Sequence, residues 1–269
     1  GVRRRRLGRA AQAAGRRREQ GIGARPLAQH PAAAETAEAL AREAYEAARG
    51  AGLREAHLLG VSLGGIVAQE LALGAGGAEA EVRWRSLVLC STTPGGRASA
   101  RPPSGFLETF ARWREGEAAR REVAAAFLAG AASPQWLAAQ PSHRRLLAHT
   151  AERFASTPRE PSAIAAQAAA VHAALASEPD ESCAARLGEM RRRGDAPPAL
   201  VLHGDADSVF PPSNAELLQS LLGPPCAVKF LPGCGHLPYF EQPRAFVKVV
   251  TKFLARCEAG EFAAEARAA

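Results

Sequence analysis

The chain has 269 residues, 47% hydrophobic and 23% charged, with a net charge of +7. These proportions exclude a collagen, a coiled coil and a wholly disordered chain. The longest apolar run, Val123 to Ala132, is about half of what a bilayer span needs. The charge is concentrated: residues 1–25 carry nine Arg and one acid, Glu19, whereas the remainder holds 25 basic and 26 acidic residues. The basic balance therefore describes one end of the chain and not a folded domain. Arg outnumbers Lys 31 to 3 beside abundant Ala, Gly and Pro, and a GC-rich codon bias suffices to produce that pattern. A targeting peptide would be Arg-rich but should carry Ser, which residues 1–30 lack, so organelle targeting stays open without support. The segment also has no aromatics to stack bases, so no nucleic-acid partner is expected. Five cysteines without a CxxC pair point to neither a disulfide framework nor a zinc ribbon. They favour a soluble protein of a reducing, intracellular compartment.

In chain order, residues 1–31 read as a basic, irregular segment. A helix rich in Ala and Glu is predicted over 32–49, stopped by Gly50. A buried parallel strand follows at Ala56–Val61, then a helical pattern over Ile66–Leu73. Further buried strands are predicted at Trp84–Cys90, Ala199–His203 and Cys226–Leu231, each followed by a loop or helix, the rhythm of a parallel α/β sheet. Between the second and third, residues 97–195 contain no convincing strand. Pro102, Pro103, Pro134, Pro141, Pro158 and Pro161 divide that Ala-rich stretch into helical lengths, so it reads as a helical insertion. The core would then comprise 32–96 and 196–257, with 258–269 a fraying tail.

The chemistry-bearing segment is Gly60-Val61-Ser62-Leu63-Gly64. GxSxG alone is a weak signal. Here a predicted strand runs directly into Ser62 and a helix directly out of it, the context that a nucleophile elbow requires. The strained turn would lift the Ser62 hydroxyl clear of the sheet, with Gly60 and Gly64 relieving collisions two positions either side. The free N–H groups at the start of the helix, beginning at Leu63, would face a developing oxyanion. A serine nucleophile needs a base, and the base a carboxylate. The third strand runs into His203-Gly204-Asp205-Ala206-Asp207, and the fourth into Gly233-Cys234-Gly235-His236. Both lie at carboxyl ends of strands, where open α/β sheets bind ligands.

Residues 56–94 and 198–254 resemble the α/β-hydrolase fold family. GVSLGGIVAQELAL followed by SLVLCSTTPGG is similar to its branch of small esterases and lactonases that includes 3-oxoadipate enol-lactonase. The resemblance implies an α/β-hydrolase fold with a helical cap over 97–195, in which Ser62 is the nucleophile, Asp207 the acid and His236 the base. Asp205 competes with Asp207 for the acid role. Leu63 would give one oxyanion donor. The second donor expected from a loop before the elbow has no match, and the family's strands ahead of the elbow are read as missing or garbled, as in an N-terminally truncated chain. His203 is read as structural or pocket-lining, His57 as a packing residue and Cys234 as a bystander. The implied reaction is acyl transfer to water from a small ester, thioester or lactone, with no cofactor or metal. The other reading is a hydrolase-like fragment or interaction module without activity.

Overall fold

The computed structural model describes residues 36–74, 80–158, 160–178, 182–224 and 226–262. The basic segment 1–31, the proposed missing strands and residues 263–269 of the tail lie outside them. Helix α1 (Ala37–Gly50) is capped by Thr36, whose hydroxyl accepts from the Ala39 N–H at 3.2 Å. It leads to strand β1 (Glu55–Val61), which passes through Ser62 into α2 (Leu63–Ala72). Strand β2 (Arg83–Cys90) precedes the insertion, after which β3 (Ala199–Gly204) and β4 (Cys226–Leu231) complete the described sheet. All three pairings are parallel and the order is β1-β2-β3-β4.

The apolar strands separate their side chains between two cores, as the two-residue period demands. Leu87, Leu89, Ala199 and Val201 face one side, where Leu40, Tyr45, Val67, Leu71, Leu187 and Leu218 of the helices cover them. Val88, Leu200 and Leu202 face the other, against Val250 and Phe253 of the long C-terminal helix Pro243–Glu258. Strands covered on both faces read as unbroken hydrophobic runs, which is why β2 and β3 were legible. On β1, Leu59 remains 47% exposed among the described residues.

The stretch between β2 and β3 is helical. After a 3-10 helix, Glu108–Glu115, come α3 (Glu117–Ala131), α4 (Pro134–Ala139), α5 (Pro141–Ser156), α6 (Pro161–Ala176) and α7 (Cys183–Arg193). Pro134, Pro141 and Pro161 each sit at a helix start, where the missing N–H costs nothing. The insertion has its own core, built on Trp113, Val123, Leu128 and Leu147, and Val209, Phe210 and Leu237 from the loops after β3 and β4 join it. After β3 comes α8 (Ser213–Leu222); the short α9 (Pro238–Glu241) follows β4, and the long C-terminal helix is α10.

Two expectations need correction. His57 is not simply packed: it bridges the Ser86 hydroxyl, 2.7 Å from Nδ1, and Glu258, 2.8 Å from Nε2. A half-exposed strand position next to a helix end favours that polar use. The tail does not fray at its start either. Phe262 is buried against Phe253, 5.5 Å between ring centroids, beneath the Arg256 guanidinium. No helix of the described residues is long and apolar enough to cross a membrane.

Candidate active site

Ser62 has φ 55° and ψ −123°, a conformation that a residue with a side chain adopts only under strain. Its surroundings over-determine it. The Ser62 N–H donates to the Cys90 carbonyl at 2.9 Å, and its own carbonyl accepts from Gly65 N at 2.9 Å and from the Thr92 hydroxyl at 2.7 Å. Neighbouring strand β2 thus holds the elbow from the side.

The glycines divide the work differently from expectation. A Cβ on Gly60 would overlap the Gly64 carbonyl, and one on Gly65 would lie 2.6 Å from the Thr92 side chain. A Cβ on Gly64 would meet open space. The close approaches are therefore at Gly60 and Gly65, because the helix turns Gly65, and not Gly64, toward β2.

The loops after β3 and β4 complete the constellation. His236 Nε2 lies 3.0 Å from the Ser62 hydroxyl oxygen, and its Nδ1 lies 2.9 Å and 3.1 Å from the two Asp207 oxygens. A carboxylate can only accept, so Nδ1 carries the proton and Nε2 is left as the acceptor for the Ser62 hydroxyl. Asp205 is placed elsewhere: its carboxylate accepts from the Gly233 N–H at 2.7 Å and ties the two loops together.

Asp207 is 4% exposed. Burial alone would raise its pKa, but hydrogen bonds and charge from His203 and His236 outweigh it and hold the carboxyl at about 2. Its Oδ1 also accepts the Val209 and Phe210 N–H groups at 2.9 and 3.0 Å. The group is therefore a fixed anion beside an imidazole, suited to stabilise a positive charge there. Buried Cys90 has its thiol pushed up to about 12, and burial also raises Cys234, so neither is a thiolate at neutral pH.

Three further residues contribute to the site beyond the expected serine, acid and histidine. Thr92 holds the elbow, as above. Glu241 is buried, and its carboxylate accepts N–H groups from Gly235 at 3.0 Å, Leu237 at 3.2 Å and Ser133 at 3.0 Å. It fixes the peptides on both sides of His236 and binds them to the insertion. His203, read as structural or pocket-lining, contacts Asp207 directly: its Nε2 is 3.1 Å from Oδ2 and 2.8 Å from the Phe210 carbonyl. A spacing of acid and histidine five residues apart in GCGHLPYFE was the available hint for Glu241.

Two main-chain carbonyls of the insertion tie it to the loops after β3 and β4. The His236 N–H donates to the Ala131 carbonyl at 2.8 Å, and the Ser208 hydroxyl to the Gly130 carbonyl at 2.9 Å. The first N–H groups of α2, at Leu63 and Gly64, have no partner within the helix and lie beside the Ser62 hydroxyl's own residue. For the second donor, the structure describes only residues 36–54 of the chain ahead of β1. Among the described residues, no group of three or more His, Cys, Asp or Glu could hold a metal ion.

A parallel sheet with a strained serine at the end of one strand and an acid and a histidine after two others defines the architecture of the hydrolases built on such sheets. The chain belongs to the alpha/beta hydrolase family, whose model matches residues 8–249. Among solved structures it is similar to a hydrolase from Pseudomonas aeruginosa PA01, at 28% identity and a TM-score of 0.61 over 81% of this chain and 72% of that one. It is also similar to a thermophilic esterase from Thermogutta terrifontis, at 25% identity and 0.57 over 82% and 73%. The enol-lactonase from Burkholderia xenovorans LB400, 21% identical with a TM-score of 0.63 over 82% and 73%, shares the fold. No curated protein sequence matches the chain significantly.

Proposed function

We propose that the protein is a serine hydrolase that cleaves a small carboxylic ester, thioester or lactone through an acyl-enzyme. The observation that carries this reading is the hydrogen-bonded line from the Ser62 hydroxyl through His236 to Asp207, at 3.0 and 2.9 Å, on a strained strand-to-helix turn. His236 Nε2 takes the hydroxyl proton as Ser62 Oγ bonds to the substrate carbonyl carbon. The carbonyl oxygen gains the negative charge at the N-terminus of α2, with the Leu63 N–H as a donor. As the intermediate collapses, the imidazolium returns its proton to the leaving oxygen or sulfur. A water, deprotonated by His236, then attacks the acyl carbon and releases Ser62. Asp207 remains ionised throughout and steadies the imidazolium.

Family membership and the esterase and enol-lactonase likenesses support the reaction class. For the substrate, the supporting feature is what surrounds the catalytic loops. Leu63, Val209, Phe210 and Leu237 pack with Phe106, Phe110, Phe127 and Trp113 in one apolar cluster. Such a cap favours an uncharged, apolar acyl or alcohol part. The test is turnover of p-nitrophenyl esters of increasing acyl length by the protein and by Ser62→Ala. Hydrolysis by the first and not by the second is expected; equal hydrolysis by both would overturn the reading.

A further inference from the structure

Two imidazoles meet on one oxygen of Asp207. His236 Nδ1 is 2.9 Å from Oδ2, and His203 Nε2 is 3.1 Å from the same atom. His203 Nε2 is also 2.8 Å from the Phe210 carbonyl. Both neighbours are acceptors, so Nε2 must carry a proton. His203 is wholly buried, next to last in strand β3, and its Nδ1 has no hydrogen-bond partner. A buried polar atom left bare has a cost, and such a cost at a catalytic loop points to a use for the atom at the other end of the ring.

We propose that His203 is a positioning residue for the triad, one that sets how strongly Asp207 holds the proton of His236. The inference rests on the triad reading above. Its Nε2–H does two things at once. By gripping the Phe210 carbonyl, it folds the acid loop so that the Val209 and Phe210 N–H groups point back at Asp207 Oδ1. By facing Oδ2, it draws charge from the oxygen that His236 uses. An anion that already receives one donor attracts the next one less. His203 therefore moderates the pull of Asp207 on the His236 N–H, and that pull sets how readily His236 Nε2 takes the Ser62 proton.

The sign is definite. Without the His203 donor, Oδ2 keeps more charge, the His236 imidazolium is held more tightly, and activity on the acid side is lost at a higher pH. The other titratable neighbours do not reproduce this effect. Cys90 at the end of β2 and Cys234 on the His236 loop both face Asp207, and burial keeps both as neutral thiols across the window. Glu241 keeps its main-chain donors in every variant.

The experiment compares the full chain with His203→Phe, which keeps a ring but no donor, and His203→Gln, whose amide can donate from a similar distance along the side chain. The pH dependence of kcat/KM for a p-nitrophenyl ester is read with fluorophosphonate labelling of Ser62 as a control. In the Phe variant, the acid-side midpoint should rise by about half a pH unit or more, with KM little changed, and Gln should restore it. A midpoint that is unmoved or lowered in a folded, labelled Phe variant overturns the proposal. Failure of the unaltered protein to label overturns the triad reading instead. A second measurement needs no variant. In histidine-15N spectra of the unaltered protein at pH 8, His203 should be the Nε2–H tautomer and His236 the Nδ1–H tautomer; an Nδ1–H tautomer at His203 contradicts the account.

Discussion

The ends of the strands and the helical insertion solve opposite problems with the same chain. At the strand ends, hydrogen bonds hold the side chains of the candidate site one by one. Ser62 is pinned by Cys90 and Thr92, Asp207 by two N–H groups of its own loop, and His236 by peptides that Glu241 and Ala131 fix. In the insertion, small and aromatic side chains fill space: Ala124, Ala131 and Ala151 are buried beside Trp113, and Phe106, Phe110, Phe127 and Phe154 form a run of ring contacts. The first region depends on individual atoms, and the second on total volume. Single substitutions should therefore be far more damaging to turnover in the loops than in the insertion.

The largest expected effect separates two acids two residues apart. Asp207→Asn should reduce kcat by about 10⁴, because an amide in that position favours the wrong His236 tautomer. Asp205→Asn keeps an oxygen for the Gly233 N–H and should cost less than about tenfold. Steady-state kinetics on both variants tests the assignment, and the reverse ranking would move the acid to Asp205.

A second pair sharpens the reading of the elbow. Gly60→Ala forces a Cβ onto the Gly64 carbonyl and should destabilise the fold by about 3 kcal/mol or more. Gly64→Ala points into open space and should stay within about 1 kcal/mol of the parent. Urea midpoints measure both, and similar losses would mean that the turn is built otherwise.

The third effect is smaller and depends on pH. The Asp207 carboxyl sits near 2 in the folded protein, below its ordinary value of 3.8. Its charge therefore contributes fully to stability above about pH 4, and that contribution fades as the pH falls toward 2. The contribution is about 2 kcal/mol. Asp207→Asn should lose part of the stability at pH 6 and show a flatter profile between pH 4 and 2. An unchanged slope there would mean that Asp207 is not held as an anion.

What was legible in the sequence follows the same division. Strand β3 and the second half of β2 are buried on both faces and read as apolar runs, and Ser62, Asp207 and His236 lie just beyond the carboxyl ends of β1, β3 and β4. Asp205 and Asp207 could not be separated by spacing with certainty, since only the fold of the loop decides which carboxylate meets His236. Gly64 was misjudged because the motif marks a glycine without saying which way the helix turns it; the crowded position is Gly65. His203 was read only as structural or pocket-lining, and Thr92 and Glu241 were not read at all, because each acts through a neighbour's backbone or charge rather than through a motif of its own. The insertion was legible as helical from its prolines and alanines, but which of its side chains face Ser62 was not, because a buried Ala or Phe has the same sequence signature wherever it packs.

The central claim is that Ser62 is an activated nucleophile. Fluorophosphonate labelling of the purified chain, read by mass spectrometry of the Ser62 peptide, tests it most directly. The account predicts one adduct per chain on Ser62, lost in Ser62→Ala and much slowed in His236→Ala. A folded protein that does not label, or that labels equally after Ser62→Ala, would contradict it.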